Sequence, residues 1–408
     1  MKILTKSDHV VVVGAGLGGW RLTEALRRNG FEGAITLIGD EAHAPYDRPP
    51  LSKQVMVGKW EPDKTTLATP ALVKKNDVTL RLAVSAIGLD AAGPAVQLDD
   101  GTTVEGSHVV IATGTRARRL PFSADDQLHY VRRIDDVARL NAALATLAPG
   151  SAVGVIGGGF IGAETATALR TRGFRPVVLE VARRPLLGVL GESVSTWLLG
   201  LAKAADVELR VEQKISDVVR SSDGFAVLFE DASTLDVGAV IVGVGVVTNV
   251  EWLASSGLVI DNGVVVDEHL LATERIAAIG DVARFAWSSV TGTELVRIEH
   301  WEVTNGHASQ LAGYWTGGDE TAPIVTPYFW SDQYGQKIQL LGHPRADDEV
   351  VRVSTGDDEK KWLALYSRAG VVTGIVTLNN PRALMLSKGL LEAPTSIEQA
   401  VSKSPWSS

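Results

Sequence analysis

The sequence of 408 residues contains no cysteine. Disulfides, thiolate-ligated metals, cysteine-bound iron–sulfur clusters and thiol redox relays all need a cysteine sulfur, so each of them is excluded. Long apolar runs are also missing: the longest nearly uncharged stretch, Val237 to Val247, is far shorter than the roughly 20 residues of a membrane-spanning helix. The apolar run Val10 to Val13 is too short for a signal peptide. These absences predict a cytoplasmic protein without a membrane association.

Clusters of one charge sign are missing as well. The net charge is −9, and the 39 basic and 48 acidic residues are interspersed along the chain. Nothing therefore resembles the basic footprint of a nucleic-acid-binding protein. No His, Asp and Glu grouping has the spacing of metal ligands, and no nucleophile–base signature is visible, so we predict no metal site.

What the sequence does contain is an internal repeat, and its length leaves room for two or three domains. Each copy consists of a short β-branched strand, a Gly-x-Gly-x-x-Gly loop, a helical pattern that stops at a glycine, and a second strand. The triplet Ala25-Leu26-Arg27 of the first helix recurs as Ala168-Leu169-Arg170 in the second. The first copy has Val10 to Val13, Gly14, Gly16, Gly19, Gly30 and Ala34 to Ile38, and the second has Val153 to Ile156, Gly157, Gly159, Gly162, Gly173 and Val177 to Leu179.

The glycine loops predict two phosphate-binding sites. In such a loop the first glycine permits the tight turn, the second lets the backbone approach a pyrophosphate, and the third packs the helix against the strand. The anion then lies on the free N–H groups and the positive dipole end of the helix. A glycine-rich turn without a ligand is the alternative, but two copies in full strand–loop–helix–strand context favour two bound dinucleotides.

A carboxylate at the end of the second strand usually accepts hydrogen bonds from a ribose. Glu180 stands there in the second copy. In the first copy the equivalent position is Gly39, and either Asp40 or Glu41 just beyond it takes the role; we select Asp40 as the candidate.

Further segments resemble one family, the FAD-dependent ferredoxin reductases. These serve bacterial monooxygenases and ring-hydroxylating dioxygenases, and their fold is shared with glutathione reductase and apoptosis-inducing factor. The two most specific matches are the Arg-Pro-Pro-Leu-Ser-Lys element, 48–53, and the Phe-Trp-Ser-Asp-Gln element, 329–333. The others are 111–115, 157–164, 280–282 and 299–301.

The resemblance implies residues that contact FAD. Asp281 would bond the ribityl chain and phosphate region, although an Asp in this context is also a common helix N-cap. Ala112, Thr113 and Gly114 would form the crossover near the adenine-side ribose and phosphates, or else an ordinary turn at the end of a strand. The remaining two candidates, Glu299 and Trp330, would border the flavin, with burial in the core as the alternative for Trp330.

The same resemblance implies a catalytic pair. Arg48 would approach the pyrophosphate or the isoalloxazine, and Lys53 would reach the flavin N5 region, where its charge stabilises the reduced flavin. Glu164 would lie near the nicotinamide and pair with Lys53. The alternative for Glu164 is a favourable acid in the first turn of a helix. His300 is the histidine nearest the predicted flavin, and we interpret it as structural.

The implied fold is α/β, with two Rossmann-like domains of the glutathione reductase type and a small α+β C-terminal domain. The FAD-binding domain would comprise 1–114 and 248–325, the NAD-binding domain 115–247, and the C-terminal domain 326–408. Alternating apolar positions in the last domain predict an antiparallel sheet, followed by a helix at Pro381 to Leu391. Thr248 stands where the family usually has proline, which we expect to cost some rigidity at the crossover.

The implied function is that of a monomeric ferredoxin reductase. NADH would reduce bound FAD, and electrons would pass singly to a [2Fe–2S] ferredoxin that feeds a monooxygenase or dioxygenase. Without cysteine, electrons cannot leave through a disulfide as they do in glutathione reductase. The alternatives are an NADH oxidase and a flavoprotein that acts by binding partners, as apoptosis-inducing factor does.

Overall fold

The computed structural model describes residues 3–318, 326–353 and 360–407. The α-helices are α1 (Leu17–Arg28), α2 (Pro70–Lys75), α3 (Ile134–Ala145), α4 (Phe160–Thr171), α5 (Leu187–Ala204), α6 (Trp301–Trp315), α7 (Pro381–Leu386) and α8 (Ile397–Lys403). The strands are β1 (His9–Val13), β2 (Ala34–Ile38), β3 (Thr79–Arg81), β4 (Ala86–Asp90), β5 (Ala95–Leu98), β6 (Thr103–Glu105), β7 (His108–Ile111), β8 (Thr115–Ala117), β9 (Ala152–Ile156), β10 (Arg175–Leu179), β11 (Glu208–Arg210), β12 (Ile215–Ser221), β13 (Gly224–Phe229), β14 (Thr234–Val237), β15 (Ala239–Val242), β16 (Val246–Thr248), β17 (Val264–Val266), β18 (Leu271–Thr273), β19 (Ile276–Ala278), β20 (Ala283–Ser289), β21 (Gly292–Val296), β22 (Tyr328–Gln333), β23 (Gln336–Gly342), β24 (Glu349–Val353), β25 (Trp362–Arg368) and β26 (Val371–Leu378).

The chain divides into two compact units. The first comprises the chain up to Asp47, Thr65–Arg116 and Val247–Tyr328. The second comprises Arg48–Lys64, Ala117–Val246 and the chain from Phe329 onward. The division into FAD-binding, NAD-binding and C-terminal domains stays a prediction, and its boundary at 325 lies outside the described residues.

The first unit is built on a six-stranded sheet in the order β18-β19-β7-β1-β2-β3. Its strands are parallel except for β18, which runs antiparallel to β19. The central strand β1 is buried along Val10–Val13, as expected for a parallel strand covered on both faces. Helices α1 and α6 bury their apolar faces in this core, and Trp20 and Trp315 are almost fully enclosed.

The second unit contains a four-stranded parallel sheet in the order β11-β10-β9-β15 and an antiparallel sheet of β12, β13 and β14. Its C-terminal part is a five-stranded sheet in the order β22-β23-β26-β25-β24. The apolar face of α5 packs on this sheet through Leu190 and Leu198, which share a cluster with Trp362 and Tyr366.

All four strands of the predicted repeat are present as β1, β2, β9 and β10, and Gly30 and Gly173 follow the two helices with φ of +89° and +84°. The predicted helix from Pro381 to Leu391 is wrong in its length. Helix α7 ends at Leu386, and a separate 3₁₀ turn covers Lys388–Leu391. The buried Ser387 donates its hydroxyl to the carbonyl oxygen of Ala383 at 2.8 Å, a bond that competes with helix continuation.

Across the described ranges, the structure contains no helix that is both long and apolar enough to span a bilayer.

Candidate functional site

The first glycine loop joins β1 to α1, and its three glycines have different physical reasons. Gly14 has φ +123°, and a Cβ there would collide with the carbonyl of Ala112. A Cβ on Gly19 would collide with the carbonyl of Gly14. Gly16 has an ordinary φ of −100°, and a Cβ built on it meets no described atom within 4 Å. The chain's own packing therefore requires Gly14 and Gly19, whereas Gly16 keeps clear the space in front of α1.

The second glycine loop, between β9 and α4, repeats this arrangement. Gly157 has φ +102° and lies against the carbonyl of Gly243, and Gly162 lies against the carbonyl of Gly157. Gly159 has φ −74°, and a Cβ on it again meets no described atom within 4 Å. The N-cap residue of each helix is a glycine, Gly16 or Gly159, so no side chain caps the first N–H groups. Each loop therefore fits a pyrophosphate on the helix N-terminus.

Glu180 lies directly after β10, as expected for the carboxylate of the second copy. Its Oε2 accepts a hydrogen bond from the N–H of Gly158 at 2.8 Å, and its Oε1 accepts one from the N–H of Ala182 at 2.8 Å. These bonds orient the carboxylate beside the glycine loop. This position fits the predicted role of Glu180 as an acceptor of hydrogen bonds from a ribose.

The two candidate carboxylates of the first copy differ in their surroundings. Glu41 is half-buried and accepts a hydrogen bond from the hydroxyl of Tyr46 at 2.6 Å. Asp40 is exposed at the end of β2, next to Gly39, where a Cβ would press against the side chain of Ala15 in the glycine loop. The exposed position beside the loop supports Asp40 as the candidate.

Asp281 lies in a 3₁₀ turn, Gly280–Val282, that is followed by strand β20. The alternative in which it caps a following helix is therefore wrong. Its Oδ2 accepts a hydrogen bond from Thr115 Oγ1 at 3.2 Å, and its carbonyl oxygen accepts one from Arg297 Nη1 at 3.2 Å. Arg297 also forms an ion pair with Glu299 at 2.5 Å, so the candidate Glu299 is linked to Asp281 through one guanidinium.

His307 holds the Asp281 turn from α6. Its Nδ1 accepts a hydrogen bond from the N–H of Gly280 at 3.2 Å. The ring is 5% exposed, and burial lowers the pKa of His307 to about 4. The imidazole is therefore neutral at physiological pH, and its neutral Nδ1 can accept this bond.

The predicted crossover residues are connected to Asn249. Thr113 Oγ1 donates to the carbonyl of Asn249 at 2.8 Å, and Asn249 Nδ2 donates back to the carbonyl of Thr113 at 2.8 Å. The N–H of Asn249 donates to the carbonyl of Gly114 at 3.0 Å. The neighbouring Ala112 is bonded to β1 through its N–H. This reciprocal bonding stabilises the segment where Thr248 replaces the usual proline.

In the second unit the structure brings Lys53 and Glu164 together. Lys53 lies in a short π-helical turn, Leu51–Val55, and Glu164 in the first half of α4. Lys53 Nζ is 2.7 Å from Glu164 Oε2 and 3.4 Å from the carbonyl oxygen of Pro49. The side chains are 14% and 3% exposed, so this ion pair is shielded from water. A shielded pair beside a glycine loop can fix a positive charge in one position.

Two serines complete the surroundings of Glu164. Ser52 Oγ donates to Glu164 Oε2 at 2.5 Å, and Ser331 Oγ donates to Oε1 at 2.6 Å. Sequence reasoning missed both of them. Two features of the sequence could have identified them. Each serine is adjacent to a candidate residue, Lys53 or Trp330, in one of the two most specific motifs, and the alternation of strand β22 buries Ser331 together with Gln333.

The other candidates of this unit are placed as follows. Arg48 Nη1 donates to the carbonyl oxygen of Arg132 at 2.7 Å. Trp330 is half-buried in β22, and its neighbour Phe329 contacts Phe160 with ring centroids 4.5 Å apart.

Within the described parts of the chain, no group of three or more His, Asp or Glu side chains is arranged to hold a metal ion. His300 lies at the N-cap of α6 and is half-buried.

Comparison with known proteins gives matches over almost the whole chain. Residues 8–308 match the family described as pyridine nucleotide-disulphide oxidoreductase, and residues 328–405 match the reductase C-terminal domain. Rhodocoxin reductase of Rhodococcus erythropolis is 35% identical over 405 residues, covering 96% of this chain and 91% of that protein. The ferredoxin–NAD(+) reductase component of the p-cumate 2,3-dioxygenase system of Pseudomonas putida is 31% identical and covers 96% and 95%.

Among solved structures, the covalent putidaredoxin reductase–putidaredoxin complex matches with a TM-score of 0.91 and 29% identity, covering 97% of this chain and 96% of that chain. This likeness confirms the predicted α/β fold of the glutathione reductase type. The chain therefore belongs to the pyridine nucleotide-disulphide oxidoreductase family, as an oxidoreductase that uses FAD and NAD(H).

Proposed function

We propose that this oxidoreductase takes electrons from NADH through FAD and passes them singly to a [2Fe–2S] ferredoxin that serves a monooxygenase or dioxygenase. One observation carries the proposal: a chain with two complete dinucleotide loops contains no cysteine. A disulfide relay is thereby excluded, so the electrons leave from the flavin itself. Relatives named as reductases of rhodocoxin and of a dioxygenase ferredoxin support this acceptor class.

The first glycine loop is proposed to hold FAD. The N–H groups at the start of α1 would bind its pyrophosphate, Gly16 would leave room for that group, and Asp40 would accept hydrogen bonds from the ribose. Asp281, held by Thr115 and by the Arg297 contact, would bond the ribityl chain. Ala112, Thr113, Gly114, Glu299, Arg48 and Trp330 are the further proposed FAD contacts. FAD, when bound, supplies the chemistry that accepts electrons as a pair and releases them one at a time.

The second loop is proposed to hold NADH. The first N–H groups of α4 would bind the pyrophosphate, and Glu180 would accept hydrogen bonds from the ribose hydroxyls. The two arginines that follow Glu180 are both engaged: Arg183 and Arg184 form ion pairs with Glu192 at 2.6 and 2.5 Å. Their pairing supports NADH over NADPH, because the carboxylate of Glu192 competes with a 2′-phosphate for each guanidinium.

Lys53 and Glu164 are proposed as the catalytic pair. With FAD bound, the Lys53 ammonium would stabilise negative charge on the reduced flavin, as a preorganised charge that transfers no proton. Glu164 holds that ammonium and helps to place the nicotinamide. The monomeric state and the cytoplasmic location stay predictions from the sequence.

The test is NADH oxidation with cytochrome c as the final acceptor, measured with and without a purified [2Fe–2S] ferredoxin from an oxygenase system. We expect a slow rate without ferredoxin and a strong, saturable increase with it. Oxygen consumption that accounts for the NADH without ferredoxin would instead identify an NADH oxidase. Uniformly slow turnover with every acceptor, in a protein fully loaded with FAD, would favour a partner-binding flavoprotein.

A further inference from the structure

The carboxylate of Glu164 receives hydrogen bonds on both oxygens, from donors in two distant sequence motifs. Ser52 and Lys53 donate to Oε2, at 2.5 and 2.7 Å, and Ser331 donates to Oε1, at 2.6 Å. Ser331 is the only donor to Oε1 among the described residues. Glu164 is 4% exposed and Ser331 is 0% exposed, so bulk water does not replace any of these donors.

The direction of each bond in this cluster follows from the chemistry of the groups. Ser331 has one hydroxyl proton, and the Glu164 carboxylate can only accept, so that proton lies on the bond to Oε1. The other neighbour of Ser331 must then be a donor, and Gln333 Nε2 occupies that place at 3.1 Å. Gln333 is 3% exposed in the same strand, so it keeps the Ser331 proton directed at Glu164.

Without the two hydroxyls, the ion pair would not determine the carboxylate orientation. The terminal torsion of a glutamate side chain is broad, and the Lys53 ammonium ends a flexible stem with three equivalent donors. One contact at Oε2 leaves the carboxylate plane free to rotate about that contact. Donors on both oxygens remove this freedom, so the carboxylate acceptor of Lys53 Nζ is fixed, beside the longer 3.4 Å contact of Nζ with the carbonyl oxygen of Pro49.

We propose that Ser331 and Ser52 are positioning residues for the catalytic pair. They hold the Glu164 carboxylate in one plane, and through it they hold the Lys53 ammonium at one point. The inference rests on the proposed function, in which Lys53 and Glu164 act during flavin reduction. Ser331 has the larger role, because its loss leaves Oε1 without a donor, whereas loss of Ser52 leaves Lys53 on Oε2.

The first experiment compares serine variants by stopped-flow flavin reduction at saturating NADH. We expect Ser331→Ala to slow reduction about tenfold and Ser52→Ala about threefold, since only part of a charged hydrogen bond is lost in the transition state. FAD content and half-saturation by NADH should stay near the wild-type values. Ser331→Cys, which keeps a weak donor, should fall between Ser331→Ala and the wild type, and it also serves if Ser331→Ala folds poorly.

Ser367→Ala is the matched control. Ser367 is also a buried serine of the same five-stranded sheet, 1% exposed, and its hydroxyl has no hydrogen-bond partner among the described residues. Its removal should leave the reduction rate unchanged. An equal loss of rate in Ser367→Ala and Ser331→Ala would overturn the proposal, because the effect would then come from general loosening of the sheet.

The decisive experiment is a double-mutant cycle with Glu164→Ala, read out by both reduction rate and flavin midpoint potential. If Ser331 acts through Glu164, Ser331→Ala should lower the potential in the wild-type background and change neither quantity further in the Glu164→Ala background. Additive effects would overturn the positioning role. Wild-type reduction by Lys53→Ala would instead contradict the proposed function of the pair, so the two failures are distinguishable.

Discussion

At the scale of single residues, each glycine loop contains glycines that the packing of the chain requires and one glycine, Gly16 or Gly159, that leaves space for a ligand. Replacing Gly16 by valine should abolish FAD binding while the protein still folds. The structure has room for a side chain at this position, but that side chain would occupy the space of the FAD pyrophosphate. Gly159→Val should retain FAD and raise the half-saturating concentration of NADH. Flavin absorbance per protein measures the FAD content, and a thermal unfolding scan shows whether each variant folds. Steady-state kinetics measure the half-saturating concentration of NADH. Stoichiometric flavin in Gly16→Val would show that the first loop does not hold FAD.

Lys53 should matter for rate and little for cofactor content. Lys53→Ala removes one preorganised charge from a shielded site, which typically costs about 2.7–4 kcal/mol, or a hundredfold or more in rate, and less if water enters. Stopped-flow reduction by NADH should show this loss, together with a lower flavin potential. Glu164→Ala should act more mildly, and the double variant should be non-additive because each change removes the same ion pair. A wild-type rate in Lys53→Ala would mean that this charge has no catalytic role.

The choice between NADH and NADPH should depend on the carboxylate of Glu180. We expect a higher kcat/KM with NADH, because the carboxylate accepts bonds from ribose hydroxyls and repels a 2′-phosphate. Glu180→Gln keeps an oxygen acceptor for the N–H groups of Gly158 and Ala182 but removes the charge. The ratio of kcat/KM with NADH to kcat/KM with NADPH should therefore be smaller in this variant. Steady-state kinetics with both nucleotides are the measurement. Equal or better kcat/KM with NADPH in the wild type would contradict the assignment.

The residues that the sequence could identify are those whose neighbours are local. Each glycine loop follows a strand directly, and Glu180 comes directly after the next strand, so their roles could be predicted from their order in the sequence alone. Ser331 was not, because its meaning depends on a carboxylate 167 positions away in the chain. The pairing of Lys53 with Glu164 came from the family resemblance, since no spacing rule connects those positions.

At the scale of elements, α6 should give the first unit a pH-dependent stability. His307 is buried and neutral, and its pKa is lowered to about 4 from an unfolded value of 6.5. Between these values the unfolded state binds a proton that the folded state does not, so stability falls as pH falls from 6.5 to 4. The full effect is about 3 kcal/mol, from roughly 1.4 kcal/mol for each pKa unit.

The matched variant for this prediction is His307→Asn, which keeps an oxygen acceptor for the N–H of Gly280 but has no titratable ring. Chemical denaturation at a series of pH values should show wild-type stability falling more steeply than that of the variant below pH 6.5. Parallel curves for the two proteins would mean that His307 is not neutral and buried in the folded state.

Elements with strong periodicity were predictable, and those shaped by distant contacts were not. The β1–α1–β2 and β9–α4–β10 segments combine β-branched strands with glycine loops, and both repeats were found. Helix α5 shows the limit. It is kinked at Gly191, which has φ +71°, and the hydroxyl of Tyr366 donates to the carbonyl of Leu190 at 2.7 Å. A partner from a distant strand satisfies that carbonyl, and no local pattern contains it.

At the scale of the whole molecule, the missing cysteine determines how many electrons the protein can hold. A flavoprotein with a thiol relay can hold one electron pair on the flavin and another on the disulfide. This chain has no sulfur pair, no cysteine-ligated cluster and, in its described residues, no metal-binding group. We therefore expect its redox capacity to be that of the flavin alone.

Anaerobic titration of the FAD-loaded protein should accordingly consume two electrons for each flavin, whether dithionite or NADH is the reductant. Flavin absorbance should bleach in proportion to the reductant added from the first aliquot, because no second centre competes for electrons. Treatment with N-ethylmaleimide at neutral pH should leave both the titration and NADH turnover unchanged, since no thiolate is present to react. A disulfide reductase that contains cysteine provides the positive control for the alkylating reagent. Uptake of four electrons would reveal a second redox centre and contradict direct transfer from the flavin.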